Sequence, residues 1–244
     1  MNKCNFYDQL LDKFKIIAEE NGLLNEKISI KGRTLNTEEA IGNPLRKDYP
    51  IIKGREKLMQ AEFRGEKGQA FTDMPAEFSG TIEEIINRPI KTNFDRAVLI
   101  STLNAVCKYL NIADRTIHCK DEEPEKCAKE LVEHIKEMYG SPKIALIGLQ
   151  PAMLQRLAEN FNVRVVDMDE EQIGSMKFGV EIENAEFKTE DVLNWCQLIV
   201  ATGSTSANDT ITKFITEKPV IFFGTTIAAT AALMNYSRFC PCSK

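Results

Sequence analysis

The period of the apolar positions changes several times along the first third of the chain. Over residues 5–21, Phe6, Leu10, Phe14 and Ile17 recur at helical spacing, and Asn21-Gly22 supplies the stop. Residues 26–35 alternate instead, with Ile28 and Ile30 on one face, which predicts a strand. Residues 57–64 alternate again, and Gly65-Glu66-Lys67-Gly68 turns the chain into 69–72 as a hairpin. Thr81-Ile82-Glu83-Glu84 opens a short helix that Pro89 must end. Helix, strand and hairpin without βαβ alternation describe a small α+β unit.

Residues 93–111 form a long helix that is apolar nearly all round, through Ala97, Val98, Leu99, Ile100, Leu103, Val106 and Leu110. Such a helix is buried, between the two halves of the chain or at a subunit interface of a homo-oligomer. Asn104 inside it needs a partner, and a satisfied core amide is favoured over a ligand contact. Pro124 then suits the first turn of a helix reaching Tyr139, which Gly140 stops. Four short apolar runs follow, at 143–147, 163–166, 197–201 and 219–223, alternating with helical patterns. That rhythm predicts a parallel sheet covered on both faces. The expected fold is thus α/β and α+β: a small α+β domain over 1–92, a buried connecting helix over 93–116, and a Rossmann-like parallel-sheet domain over 117–244.

Composition narrows the classes of partner. A net charge of −5 over 244 residues disfavours a nucleic-acid or anionic-membrane binder. The most apolar window, 219–234, is too short to span a bilayer and is interrupted by Gly224-Thr225-Thr226, so no membrane insertion is expected. Met1-Asn2-Lys3-Cys4 leads straight into an amphipathic stretch, without a signal peptide's apolar core. Seven cysteines, an odd number, read as reduced thiols of a cytoplasmic chain.

The chemistry concentrates at strand ends. The first apolar strand ends at Gly148 and runs through Leu149-Gln150-Pro151 into a helix, the position of a dinucleotide loop without its G-x-G-x-x-G glycines. Asp167, nineteen positions on, stands where dinucleotide binders hold a ribose, although a strand-end cap explains it as well and NAD is disfavoured. The turns holding Gly203, Ser204, Thr205 and Asn208, and Gly224, Thr225 and Thr226, join glycine to hydroxyls and free helix-start amides. They suit anionic groups of a small ligand at the carboxyl ends of the strands. Serine and threonine are also good N-caps, the competing reading. In the first half, Arg55, Glu56, Glu62, Arg64, Glu77 and Ser79 describe a solvated charged surface. Gln69, Phe71, Thr72 and Asp73, in the run 68–73, suggest a cleft wall.

Soft donors form a second constellation. His118-Cys119 precedes Asp121, Glu122 and Glu123, Cys127 and His134 share a helix, and Cys240-Pro241-Cys242 follows far downstream. Imidazole and thiolate suit Zn(II), Cu(I) or other thiophilic ions, but the spacing is no recognised zinc pattern. Cys127 and His134 lie about 10 Å apart along a helix axis and cannot share an ion, so they are expected to face the core with Leu131 and Met138. His118 and Cys119 can meet a C-terminal cysteine only if the tail folds back; free cysteines and a flexible tail are the favoured reading. Two histidines support no catalytic triad.

The segments 54–63, 68–73 and 118–124, with the turns at 148–151 and 201–205, together resemble an uncharacterised prokaryotic family described as "putative heavy-metal chelation" proteins. The resemblance covers nearly the whole chain. It implies an enolase-N-terminal-like domain joined to a Rossmann-like domain, with a site in the cleft between them. The ligand there would be a small molecule or metal chelate, and a transition or heavy metal would face His118, Cys119 and Glu122. Gln69, Phe71, Thr72, Asp73, Gly148, Gln150, Pro151 and Asp167 would wall the cleft with the two hydroxyl-rich turns. Two alternatives stand beside this: an enzyme using NAD(P) or S-adenosylmethionine with Asp167 on the ribose, and a non-catalytic binding subunit for metal transport. Whether a reaction is catalysed is open at this level.

Overall fold

The computed structural model describes residues 3–31, 35, 37–53 and 57–244. Gly54, Arg55 and Glu56, and residues 32–34 of the expected first strand, lie outside the described residues. The chain runs α1 (Lys3–Glu20), β1 (Lys27–Lys31), α2 (Thr37–Ile41), β2 (Lys57–Phe63), β3 (Glu66–Thr72), β4 (Phe78–Thr81), α3 (Ile82–Ile86) and α4 (Asn93–Tyr109). The four strands form an antiparallel sheet in the order β3-β2-β1-β4. Local chemistry sets the helix starts: Thr81 with Glu84, and Thr92 with Asp95, form reciprocal capping boxes.

The hairpin turn differs from its expected position. Arg64 and Gly65, with φ of 48° and 87°, make the two-residue turn, and Phe63 already pairs with Glu66. Gly68 lies inside β3, where a Cβ atom would fall 2.2 Å from Ala105 N and 2.3 Å from Ser101 O. This glycine serves close strand–helix packing and not a turn. The helix α4 is buried as its apolar pattern predicts, and its Asn104 is a satisfied core amide. Asn104 Nδ2 donates to Gln69 O, Thr225 O and Thr226 O at 2.9–3.2 Å, and Oδ1 accepts from Ala229 N at 2.8 Å.

The second half contains α5 (Glu123–Tyr139), β5 (Ile144–Ile147), α6 (Pro151–Asn160), β6 (Val163–Asp167), β7 (Met176–Lys177), β8 (Val180–Asn184), α7 (Ala185–Trp195), β9 (Leu198–Thr202), β10 (Val220–Phe223) and α8 (Ala228–Met234). Its sheet has the order β10-β9-β5-β6-β8-β7, parallel except for the edge strand β7. Numbered in chain order, the five parallel strands stand 3-2-1-4-5, so the order reverses between β5 and β9. Four of these strands match the four apolar runs; β8 does not. Only Val180 and Ile182 are apolar in it, and its Glu183 forms an ion pair with Arg164 at 2.5 Å.

Alternate residues of the parallel strands feed two cores. Ile144, Leu146, Val165 and Val200 pack toward α5 and α6, whereas Ala145, Ile147, Val166 and Ala201 join a core that continues through α4 to α1 and the antiparallel sheet. Among the described residues, no helix is long and apolar enough to cross a membrane.

The tail is seated, contrary to the expectation of a flexible one. Phe222 N donates to Ser237 O and Phe239 N to Phe222 O, and Ile117 and Lys244 exchange two backbone bonds of 2.8 and 2.9 Å. These pairings satisfy its backbone groups and carry Cys240 into the interior.

Candidate functional site

The carboxyl ends of β5, β6, β9 and β10 open on a cavity of about 590 Å³ at the point where the strand order reverses. Open α/β sheets bind ligands at that position. Gly148 takes φ of 86°, and a Cβ there would lie 2.7 Å from Thr202 Cγ2, so only glycine fits this strand end. The far wall comes from Ile41, Tyr49 and Phe71 of the first half, His118 and Cys119 of the segment before α5, Cys127 of α5, and Cys240 of the tail.

Of the expected ligand residues, Phe71, Asp73, Gly148, Gln150, Asp167, Gly203, Ser204, Gly224 and Thr226 line the cavity. Gln69, Thr72, Pro151, Thr205, Asn208 and Thr225 do not line it; Gln69, Thr72, Thr205 and Asn208 bond within its frame. Buried Gln69 accepts from His118 N at 2.7 Å and donates to Gln60 Oε1 at 2.9 Å. Thr72 Oγ1 accepts from Met74 N, Thr205 Oγ1 donates to Thr202 O, and Asn208 Oδ1 accepts from Thr210 Oγ1. Pro151 occupies the first turn of α6, which Gln150 caps by accepting from Met153 N at 2.5 Å.

The two hydroxyl-rich turns are less open to anions than their sequence suggests. The segment after β9 is a four-residue 3-10 turn, Gly203–Ser206, and not the start of a helix. Its Ser204 N is already directed at Thr202 Oγ1. After β10, Thr226 Oγ1 accepts from Phe71 N at 3.1 Å, tying the two walls together. The Asp167 carboxylate accepts from Leu149 N at 2.5 Å and from Asp169 N at 2.8 Å. An acid thus occupies the amide that a dinucleotide pyrophosphate would approach, which weighs against that ligand.

Five acidic side chains line the cavity: Asp73, Asp121, Asp167, Asp169 and Glu170. Among the described residues, no lysine or arginine lines it. Arg46 pairs with Glu125 at 2.5 Å and also bonds Gln155, while Arg238 donates to Gly224 O at 3.0 Å and Arg115 O at 2.7 Å and stands beside the Cys240 thiol at the cavity wall. Most of the acidic wall was not anticipated, because loops 121 and 167–170 meet only in three dimensions.

The soft donors divide. His118 and Cys119 line the cavity; Glu122 does not, since its carboxylate accepts from Leu45 N at 2.7 Å. His118 Nδ1 lies 2.6 Å from Cys119 O, which requires Nδ1 to be the donor and leaves the lone pair on Nε2. Burial holds this imidazole below its ordinary pKa and pushes the Cys119 thiol up. Cys127 and Leu131 are buried as expected, but Met138 is 61% exposed and His134 stacks on Phe239 at 4.9 Å. Cys127 and Cys240 also line the cavity and act on each other's ionisation: the Cys127 thiol is pushed up, and that of Cys240, with Arg238 beside it, is drawn down against the effect of burial. Among the described residues, no group of three or more His, Cys, Asp or Glu side chains is placed to hold a metal ion.

Comparison with known proteins supports the fold and part of the family reading. No functionally curated protein matches the chain. A crystal structure of a protein with unknown function from the DUF364 family of Pyrococcus horikoshii is similar at a TM-score of 0.53 and 17% identity, over 89% of this chain and 79% of that one. A second, of unknown function from the same family in Desulfitobacterium hafniense DCB-2, gives a TM-score of 0.48 and 10% identity over 73% and 72%. The family model matches residues 130–237. By sequence over those residues, and by fold over most of its length, the chain is similar to the DUF364 family, described as "Putative heavy-metal chelation".

Proposed function

We propose that the cavity binds a cationic metal species, carried as a small chelate, and that metal handling is the role of this chain. One observation carries the reading: acidic side chains line the cavity together with sulfur and imidazole, with no lysine or arginine among the described lining residues. Such a lining disfavours phosphates, those of nucleotides included, and favours positive charge. The donor set supports a metal that arrives with ligands of its own, since no three protein donors are assembled around a bare ion. The family description points the same way for residues 130–237. The small ligand expected at the hydroxyl-rich turns is therefore read as cationic, and Gly203, Gly224 and Thr226 as shape and not as an anion cradle.

A thermal-shift panel tests this on protein purified without chelator or tag metal. Divalent cations, supplied free and as cationic ethylenediamine complexes, raise Tm by about 5–10 °C at a hundred times Kd, and NAD and S-adenosylmethionine do not. Asp169→Asn with Glu170→Gln weakens the cation effect about tenfold. Stabilisation by a nucleotide that Asp167→Ala abolishes would overturn the reading in favour of a nucleotide-dependent enzyme.

A further inference from the structure

His118 enters the cavity wall already oriented. Its backbone N donates to Gln69 Oε1 at 2.7 Å, and Phe71 meets the ring edge-on at 5.4 Å between centroids. Nδ1 donates to the Cys119 carbonyl at 2.6 Å, which fixes the tautomer and leaves Nε2 without a proton. No described residue bonds Nε2, which is left open to the cavity that the residue lines. A ring anchored through one nitrogen to a backbone carbonyl, with the other nitrogen free, is the usual arrangement of a metal-ligating histidine. His118 lies outside the segment 130–237 that matches the family model, so the family description does not reach it.

Size and surroundings decide what the free nitrogen meets. Glu122 is taken by Leu45 N, and among the described residues no group of three His, Cys, Asp or Glu side chains is placed around an ion. One imidazole does not strip an ion of its water. A cation with a single shell of about six waters takes roughly 200 Å³, at about 30 Å³ per water. The cavity of about 590 Å³ is far larger, in the range of sites for whole organic molecules. Its wall includes Ile41, Pro44, Tyr49, Phe71, Leu149 and Met153, an apolar surface that suits carbon and not coordinated water. The acidic side chains call for net positive charge. The guest that fits all of these is a cationic chelate with an organic, largely apolar framework and one coordination position open.

We propose that His118 Nε2 supplies the single protein ligand to the metal of such a chelate, whose framework lies against the apolar wall. The proposal rests on the metal-handling reading of the cavity and names both the class of guest and the residue that captures it. On capture, one metal–nitrogen bond forms and one metal-bound water leaves. The oxidation state is unchanged, and no proton is released because Nε2 carries none. Cys119 serves through its carbonyl, which holds the ring, and not through its sulfur.

The test uses copper(II)–terpyridine, a dication with a flat aromatic framework whose three nitrogens leave one in-plane position to water. One complex binds per chain. Electron spin echo spectroscopy of the copper in the unaltered protein shows modulation from the remote nitrogen of one coordinated imidazole. The modulation changes when the histidines carry nitrogen-15, a readout that needs no variant to fold. His118→Gln abolishes it and weakens binding by more than the roughly 10–100-fold that loss of an outer-shell partner costs. His134→Gln alters the chain's other histidine, which stacks on Phe239 outside the cavity lining, and leaves both unchanged. A complex that does not bind, that binds without imidazole modulation, or whose modulation survives His118→Gln overturns the proposal. Binding that depends on Asp169 and Glu170 and not on His118 sinks the histidine alone. Copper ligated by His118, with no effect of the acidic pair on any cation, sinks the cavity reading alone. A chain that binds neither this complex nor divalent cations sinks both.

Discussion

Asp95 gathers hydrogen bonds at the start of α4, accepting from Thr92 N, Thr92 Oγ1 and Lys91 N at 2.8–3.2 Å and from Arg88 Nε at 2.7 Å. Burial opposes its charge, but these bonds outweigh burial and hold its carboxyl down at about 2. A folded-state value below the unfolded one gives stability that is full above about pH 4 and is lost as pH falls toward 2. Asp95→Asn therefore costs about 2 kcal/mol at pH 7, and the difference closes in urea melts below pH 2. Asn104 is the other residue with a sharp expectation. Asn104→Leu leaves Ala229 N and the Gln69 and Thr225 carbonyls without this partner, for a loss of about 3 kcal/mol in the same assay. The need for a partner at Asn104 is legible from an amide inside an apolar run. Which partner is not, because Gln69 and Thr225 reach it only through tertiary packing.

Among the elements, those fixed by local chemistry are the ones that periodicity and caps reveal. The helix α3 announces itself through Thr81 and Glu84, and α4 through its unbroken apolar surface. The strand β8 escapes, since its Glu183 is paired with Arg164 from β6 and not with anything in its own window. The short β4 escapes likewise, being defined by its pairing with β1. Gly68 misleads for the same reason: its neighbours are Ser101 and Ala105, far along the chain. Gly68→Ala drives a methyl group into the α4 backbone and costs about 3 kcal/mol or more, read as a lower denaturant midpoint. An alanine at Gly65 strains only a solvent-exposed turn and costs about 1 kcal/mol.

At the scale of the whole molecule, the strand-end half of the site is legible because βα turns carry their own glycine and hydroxyl signals. The opposite wall is not, because Cys119, Cys127 and Cys240 converge only once the tail pairs with β10 and with Ile117. Deleting residues 240–244 removes two backbone bonds and a buried sulfur, and lowers Tm by about 4–10 °C in calorimetry. The Asn104 bridge has a further consequence. It fastens β3 to the turn after β10, and Thr226 repeats the fastening at Phe71, so both walls are stapled to one rigid helix. A jaw hinged at that seam would have to break buried bonds at every stroke. Under the proposed function the cavity is instead a fixed slot, which would select a guest by size and charge at its rim and not by closing on it. Stopped-flow mixing with a guest accordingly gives a single phase whose rate rises linearly with concentration, without the plateau that a slow closure imposes.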